Sequence, residues 1–274
     1  MNMILSKKIH IDRPNRYILT IYVGKDHLSF SLHSPNERGS YIYENIAIGK
    51  NTNVFTVFKE VYFDNELFSL PFQKIIIMYD TPVFTFVPNL LNAENYKEDY
   101  LNLLFSEKQG VTMNQSISDT GISVIYKMPE DILTFIVGSF DKPQFFHFSA
   151  PFIIYFLEKL ERVNYHRMVI NLCEDRMDVF CFSRNTFLLG NSFSYNSVSE
   201  AVYYILFIWE QLKFNQMNDH LLITGNVEYG EKLYEKLKLY IRNIHSLSVL
   251  PEIHYAGIET GHIPFELIAL SSCV

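Results

Sequence analysis

Met168-Val169-Ile170-Asn171-Leu172-Cys173-Glu174-Asp175-Arg176-Met177-Asp178-Val179-Phe180-Cys181-Phe182 consists of two apolar runs with an acidic interruption. Short apolar runs bounded by turn formers read as strands. Residues 168–173 and 179–182 are therefore expected to form a hairpin over Glu174-Asp175-Arg176-Met177-Asp178. A third strand is expected at 186–193. A long helix at 197–214 follows, with Ser197 at the N-cap and Glu200 three residues on, the spacing of a capping box. Beyond it, 220–224 reads as a strand and 230–243 as a helix alternating charged with apolar residues. Residues 249–254 and 265–269 are expected as final strands.

The same order is met earlier in the chain. Residues 17–23 and 28–32 read as strands around Gly24-Lys25-Asp26-His27, and 41–48 as a third. A helix is expected at 53–62, where Val54, Val57, Phe58 and Val61 recur at i, i+3, i+4 and i+7. Lys74-Ile75-Ile76-Ile77-Met78-Tyr79, between Pro71 and Pro82, has the continuous apolar character of a central buried strand. Residues 81–138 form a unit of their own, read as a strand at 83–87, a helix at 95–105, and a strand pair at 121–126 and 132–138 across Pro129-Glu130-Asp131. A helix at 150–163 follows, with Ser149 as N-cap and Pro151 at its first turn. Three strands, a helix, a strand and a helix thus occur twice. The reading is α/β, with two lobes at 1–163 and 164–274, each a mixed sheet covered by helices.

Composition narrows the function classes. Of 274 residues, 48% are hydrophobic and 19% charged, which suits a packed core rather than a disordered chain. A net charge of −7 supplies no basic face for nucleic acid. The longest apolar run, 201–209, is half of the roughly 18 residues that a membrane span needs. Cys173, Cys181 and Cys273 show no CxxC spacing, and residues 1–16 carry no apolar stretch of leader length. Reduced thiols in the cytoplasm are the expectation. The nine histidines lack the spacing of a zinc site, and no GxSxG, Walker A or GxGxxG sequence occurs.

The duplicated order resembles the actin-like ATPase superfamily, whose members include actin, sugar kinases, and the bacterial cell-division and pilus-assembly proteins FtsA and PilM. The strand-helix-strand-strand unit in the first lobe is similar to the small module carried by the last two. The resemblance implies two ribonuclease H-like lobes with mixed five-stranded sheets, and an uncharacterised bacterial family of unknown function as the nearer kin. It implies an ATP site built from three motifs. The first, I-D-x-G-T-T, falls on Ile21-Tyr22-Val23-Gly24-Lys25-Asp26: Gly24 is kept, Tyr22 replaces the metal-serving Asp, and Asp26 stands where a hydroxyl would donate. The second, V-D-x-G-G-G-T-T-D-V, falls on residues 170–179. There Asp178 and Val179 fit, Asn171 replaces the Asp, and Cys173, Glu174 and Asp175 replace the three glycines. The third, a strand ending T-G-G, is matched by Thr224-Gly225-Asn226 with one glycine lost.

These replacements oppose phosphate binding. Glycine lets backbone N–H groups approach oxygen without a Cβ in the way, and carboxylates beside a triphosphate repel it. Gly24, Lys25, Asp26, Asp178, Thr224, Gly225 and Asn226 are the residues of a vestigial nucleotide cleft. Each also has a plainer reading, as a hairpin tip or a strand-to-helix turn. Glu174, Asp175 and Asp178 suit a cation site or simply a solvated turn. Asp80, at the end of a buried strand and before Pro82, suits a site residue or a turn former. The resulting expectation is a non-catalytic actin-like protein with no cofactor, ATP and Mg²⁺ being disfavoured, that works through a protein partner or self-association. The alternative is a protein that holds a nucleotide or other small molecule between its lobes with little or no turnover.

Overall fold

The computed structural model describes residues 11–25, 27–37, 39–46, 48, 52–91, 96–106, 109–117, 120–159, 163–184, 186–247 and 263–271. The first sheet holds β1 (Ile18–Val23), β2 (Leu28–His33), β3 (Ile42–Ile46), β4 (Lys74–Tyr79) and β8 (Gln144–His147), in the order β3-β2-β1-β4-β8. The second holds β9 (His166–Leu172), β10 (Arg176–Ser183), β11 (Thr186–Ser194), β12 (His220–Gly225) and β13 (Asn243–Ser246), in the order β11-β10-β9-β12-β13. Position for position the two sheets match: β1 and β9 are antiparallel to the strand that follows and parallel to β4 and β12. β4 and β12 in turn run parallel to β8 and β13. The duplication inferred from the sequence is thus the architecture of the chain.

β1 is buried along its whole length, as an apolar strand flanked on both sides must be. Helix α1 (Val54–Asp64) buries Val54, Val57, Phe58 and Val61, and Asn53 caps it by accepting from the amides of Phe55 and Thr56. Between β4 and β8 lie β5 (Phe84–Pro88), α2 (Lys97–Leu104), β6 (Val111–Ile117), β7 (Ile122–Met128) and α3 (Glu130–Ser139). β5, β7 and β6 form a separate three-stranded antiparallel sheet. The strand-helix-strand-strand shape is therefore present, but its strand pair is β6 with β7. Residues 132–138 are helical instead of extended: Glu130 and Asp131 fall in the first turn after Pro129, where carboxylates favour the helix pole, and Ile132 and Ile136 share the buried face.

Helix α4 (Ser149–Ile154) runs into a single π turn at Tyr155–Lys159, and Ser149 lies inside it with Phe148 at the cap position. Helix α5 (Val198–Gln211) is capped by Ser197, whose hydroxyl accepts from the Glu200 amide, while the Glu200 carboxylate reaches back to the Asn196 amide, one residue beyond the expected partner. Helix α6 (Val227–Leu237) stops earlier than expected, because residues 243–246 form β13. Residues 265–269, expected as a strand, belong to α7 (Phe265–Ser271), which begins beside Pro264. Residues 249–254 lie outside the described set, as do Asp26 and Cys273. Buried side chains of α4 and α7 join one cluster with β1 and β4 and with Val169, Phe180 and Phe182 of the second sheet. The two helices therefore pack between the sheets. No helix among the described residues is long and apolar enough to cross a membrane.

Candidate functional site

The β1–β2 and β9–β10 turns close in the same way. The Gly24 amide donates to the His27 carbonyl at 3.0 Å, and the Cys173 amide to the Arg176 carbonyl at 2.8 Å. Register makes Tyr22 opposite Ser29 equivalent to Asn171 opposite Asp178, and His27 equivalent to Arg176. The two tips face each other across a cleft of about 1710 Å³, lined from the first lobe by Tyr22, Lys25, His27 and Asp80 and from the second by Cys173, Glu174, Asp175 and Arg176.

Arg176 crosses the cleft floor. One terminal nitrogen donates to both carboxylate oxygens of Asp80, at 2.8 and 3.0 Å, and to Asp178 Oδ2 at 3.3 Å. Its Nε lies 2.9 Å from Asp178 Oδ1, close enough for an ion pair, although the N–H is not aligned for a hydrogen bond. The guanidinium stacks over Phe148, 5.1 Å from the ring centroid. Exposure is 13% for Arg176, 7% for Asp80 and 0% for Asp178, so a cation of the second lobe is neutralised largely out of water by a carboxylate from each lobe. Asp178 also accepts from Ser192 Oγ at 2.5 Å and from Asn171 Nδ2 at 3.3 Å. Burial pushes its pKa up to about 6 against the opposing pull of Arg176. Burial works to lower the Arg176 pKa, but Asp80 and Asp178 outweigh it and hold the guanidinium charged. Burial and the neighbouring Asp178 raise the Cys173 thiol, which makes it a poor nucleophile.

A second tie joins the chain's two ends. Tyr22 donates its hydroxyl to Glu266 Oε1 on α7 at 2.7 Å. Glu266 is 4% exposed, and its Oε2 accepts no hydrogen bond from another described residue. Burial pushes its pKa up to about 7, with the Tyr22 hydroxyl pulling the other way. The sequence reading missed Glu266. Its signal was a lone carboxylate within Ile263-Pro264-Phe265-Glu266-Leu267-Ile268-Ala269-Leu270, since an acid in an apolar run is buried only at a cost.

The residues read from the three motifs are placed as follows. Gly24 is buried, and a Cβ there would lie 2.0 Å from Cε1 of His27, whose ring packs edge-on to Tyr22. The glycine that fits the motif accommodates an imidazole. Lys25 is exposed at the tip. Gly225, at φ +91°, would place a Cβ 2.2 Å from the Leu172 carbonyl oxygen. Asn226 donates its amide to that carbonyl and caps α6 through Oδ1 to the Tyr229 amide. Thr224, Gly225 and Asn226 thus form the strand-to-helix turn beside Leu172, next to the second hairpin, whose tip exposes Glu174 and Asp175. Among the described residues no group of three or more His, Cys, Asp or Glu side chains is arranged to hold a metal ion.

No curated protein matches the chain in sequence. Among solved structures it is similar to a protein of unknown function with an actin-like ATPase fold from Bacteroides thetaiotaomicron VPI-5482. That likeness has 24% identity and a TM-score of 0.85, and covers 98% of this chain and 100% of that one. It is similar more distantly to a chain of the PilM-PilN type IV pilus biogenesis complex, at 9% identity and a TM-score of 0.60, over 93% of this chain and 96% of that one. Both likenesses bear on fold, and they agree with the duplicated sheets. The sequence matches the family described as proteins of unknown function, DUF3822, over residues 6–244. Most of its length being covered, the chain belongs to the DUF3822 family and has the actin-like ATPase fold.

Proposed function

We propose that this protein is a non-catalytic member of the actin-like ATPase fold that acts in the cytoplasm through contacts with other proteins. The observation that carries the proposal is Arg176, whose guanidinium is bound to Asp80 and Asp178 between the two hairpins where the resemblance puts a triphosphate. A phosphate entering there meets a cation already neutralised by two carboxylates. Around it stand Cβ-bearing Cys173, Glu174 and Asp175 in place of bare backbone amides. Tyr22 and Asn171 offer no carboxylate to organise Mg²⁺, which prefers acidic ligands combined with phosphate. These residues do not fit a magnesium triphosphate.

Interaction is favoured by the three-stranded module, where Leu90 is 100% and Leu103 84% exposed, with Leu91, Tyr96 and Leu104 exposed nearby. A cluster of large apolar side chains in water is characteristic of contact surfaces. The PilM chain, which shares the fold, was solved as part of a complex. The test is calorimetric titration with ATP and ADP, with and without Mg²⁺, beside a multiple-turnover hydrolysis assay. No saturable heat and no turnover are expected. Turnover abolished by changing Asp26 and Asp178 overturns the proposal.

A further inference from the structure

We infer that the interlobe cleft is a receptor for a cationic side chain, Lys or Arg, carried on an extended segment of a partner protein and seated against Glu266. The inference rests on the interaction reading above and specifies its chemistry. Three observations lead to it. The cleft lining carries the carboxylates Asp80, Glu174, Asp175, Glu231, Glu235 and Glu266 against the cations Lys25 and Arg176, so the acids exceed the permanent bases by four. Arg176 is already engaged by Asp80 and Asp178, which leaves Glu266 outside its reach among the described contacts. Glu266 is buried to all but 4%, lines the cleft, and has one oxygen that accepts no hydrogen bond from another described residue. A buried acceptor in that condition costs free energy until a donor arrives, and a charged donor matches it best.

Size favours a polypeptide over a small amine. Pockets for single small molecules run to about 300–1,000 Å³, and this cleft holds about 1710 Å³. Its lining includes the aromatic rings of Tyr43, Phe265 and Tyr234 beside the carboxylates. The aliphatic stem of a Lys or Arg can lie along such rings while its head pairs with a carboxylate. The charged and titratable groups close enough to act on Glu266 are Tyr22 of β1, Tyr43 of β3, Asp80 after β4, and Cys173 and Asp178 of the second hairpin, with His27 lining the same cleft 3.9 Å from Asp80. Helix α4 contributes none that titrate. Burial holds Glu266 near the neutral range, so a cation entering beside it stabilises the ionised form.

The test pans a phage-displayed library of random 12-residue peptides against the full chain and resynthesises the enriched sequences with a fluorescent label. Their affinity is then measured by anisotropy. The expected result is that binding requires one basic residue and falls roughly tenfold or more when it becomes citrulline or norleucine. Glu266→Gln should bring the same loss with the melting temperature at pH 6 retained. The exposed Glu231→Gln should bring a smaller loss that disappears in high salt. Affinity for the native chain should weaken from pH 8 to pH 6, and Glu266→Gln should reduce that dependence. Spermidine is titrated in parallel. Saturable spermidine binding without any enriched peptide reassigns the site to small amines and overturns the inference. Enriched peptides lacking a basic residue, peptides indifferent to Glu266→Gln, or no binding of either probe overturn it as well. Nucleotide hydrolysis bears on the preceding proposal alone, so the two fail separately.

Discussion

Arg176→Leu tests whether the cleft floor is a buried charge network. The leucine keeps much of the stem's apolar volume and removes the cation. Asp80, at 7% exposure, and Asp178, at 0%, are then left with no guanidinium between them. Removing one partner of a buried ion pair costs about 3–5 kcal/mol because the other charge stays behind unpaired. For a chain of 274 residues, at about 2–4 °C per kcal/mol in domains near this size, the melting temperature should fall on the order of 10 °C. Urea unfolding at pH 7, followed by both circular dichroism and tryptophan fluorescence, gives the loss directly and checks that the transition is cooperative. The cost should shrink as pH is lowered towards 4, since the stranded Asp178, whose pKa burial already pushes up to about 6, takes up a proton and no longer needs a counter-charge. A triple variant, Asp80→Asn with Arg176→Leu and Asp178→Asn, should recover most of the loss, because a neutral floor carries no uncompensated charge. A penalty for Arg176→Leu below about 1 kcal/mol, the range of an exposed ion pair, and unchanged between pH 7 and pH 4, would refute the reasoning.

Three further outcomes follow from the same geometry. The Glu266 pKa is raised from 4.5 to about 7, so the native state holds a proton that the unfolded chain releases between those values. Stability should therefore fall by about 3 kcal/mol as pH rises across that window and level off above it. Urea midpoints at pH 5 and pH 8 measure the fall, and Glu266→Gln should remove most of it above pH 6, the part below belonging to Asp178, whose pKa is pushed up to about 6. Gly225→Ala should destabilise by about 2 kcal/mol or more, since a positive φ and a backbone carbonyl 2.2 Å from the new Cβ leave nothing flexible to yield; thermal unfolding reads this out. Gly24→Ala meets a side chain instead, the His27 ring. Its cost of about 1–3 kcal/mol should be largely relieved in the Gly24→Ala, His27→Ala double variant, and a double-mutant cycle showing no coupling would count against the assigned contact.

What the sequence made legible follows the range of the forces involved. The hairpins at β1–β2 and β9–β10, the helices α1 and α5 and the strand β4 each carry a complete local signal: apolar runs of strand length, a 3.6-residue stripe, or a capping side chain. The elements misread carry a contradictory one. Residues 132–138 are rich in β-branched and aromatic side chains, and packing of Phe135 on α1 overrides that preference, while 265–269 is a short apolar run that its length alone could not assign to strand or helix. β6, with the polar residues Thr112, Asn114, Gln115 and Ser116, showed no apolar run because it lies at the edge of a small, half-exposed sheet. The candidate site divides in the same way. The motif put Asn171 and Asp178 in one hairpin, but the turn expected at 174–178 is shorter in the structure, where β10 begins at Arg176 and Asp178 pairs with Asn171 inside the sheet. The partners that give those residues their meaning are remote: Asp80 is 96 positions from Arg176, and Glu266 is 244 positions from Tyr22. A substitution such as Tyr22 for an acid looks, in one dimension, like simple loss. In three dimensions Tyr22 meets a carboxylate delivered by α7, so the acid missing from the first hairpin has a counterpart supplied by the far end of the chain. The charges of the cleft are thus set by residues far apart in sequence, Arg176 with Asp80 and Glu266 with Tyr22, which no single motif contains.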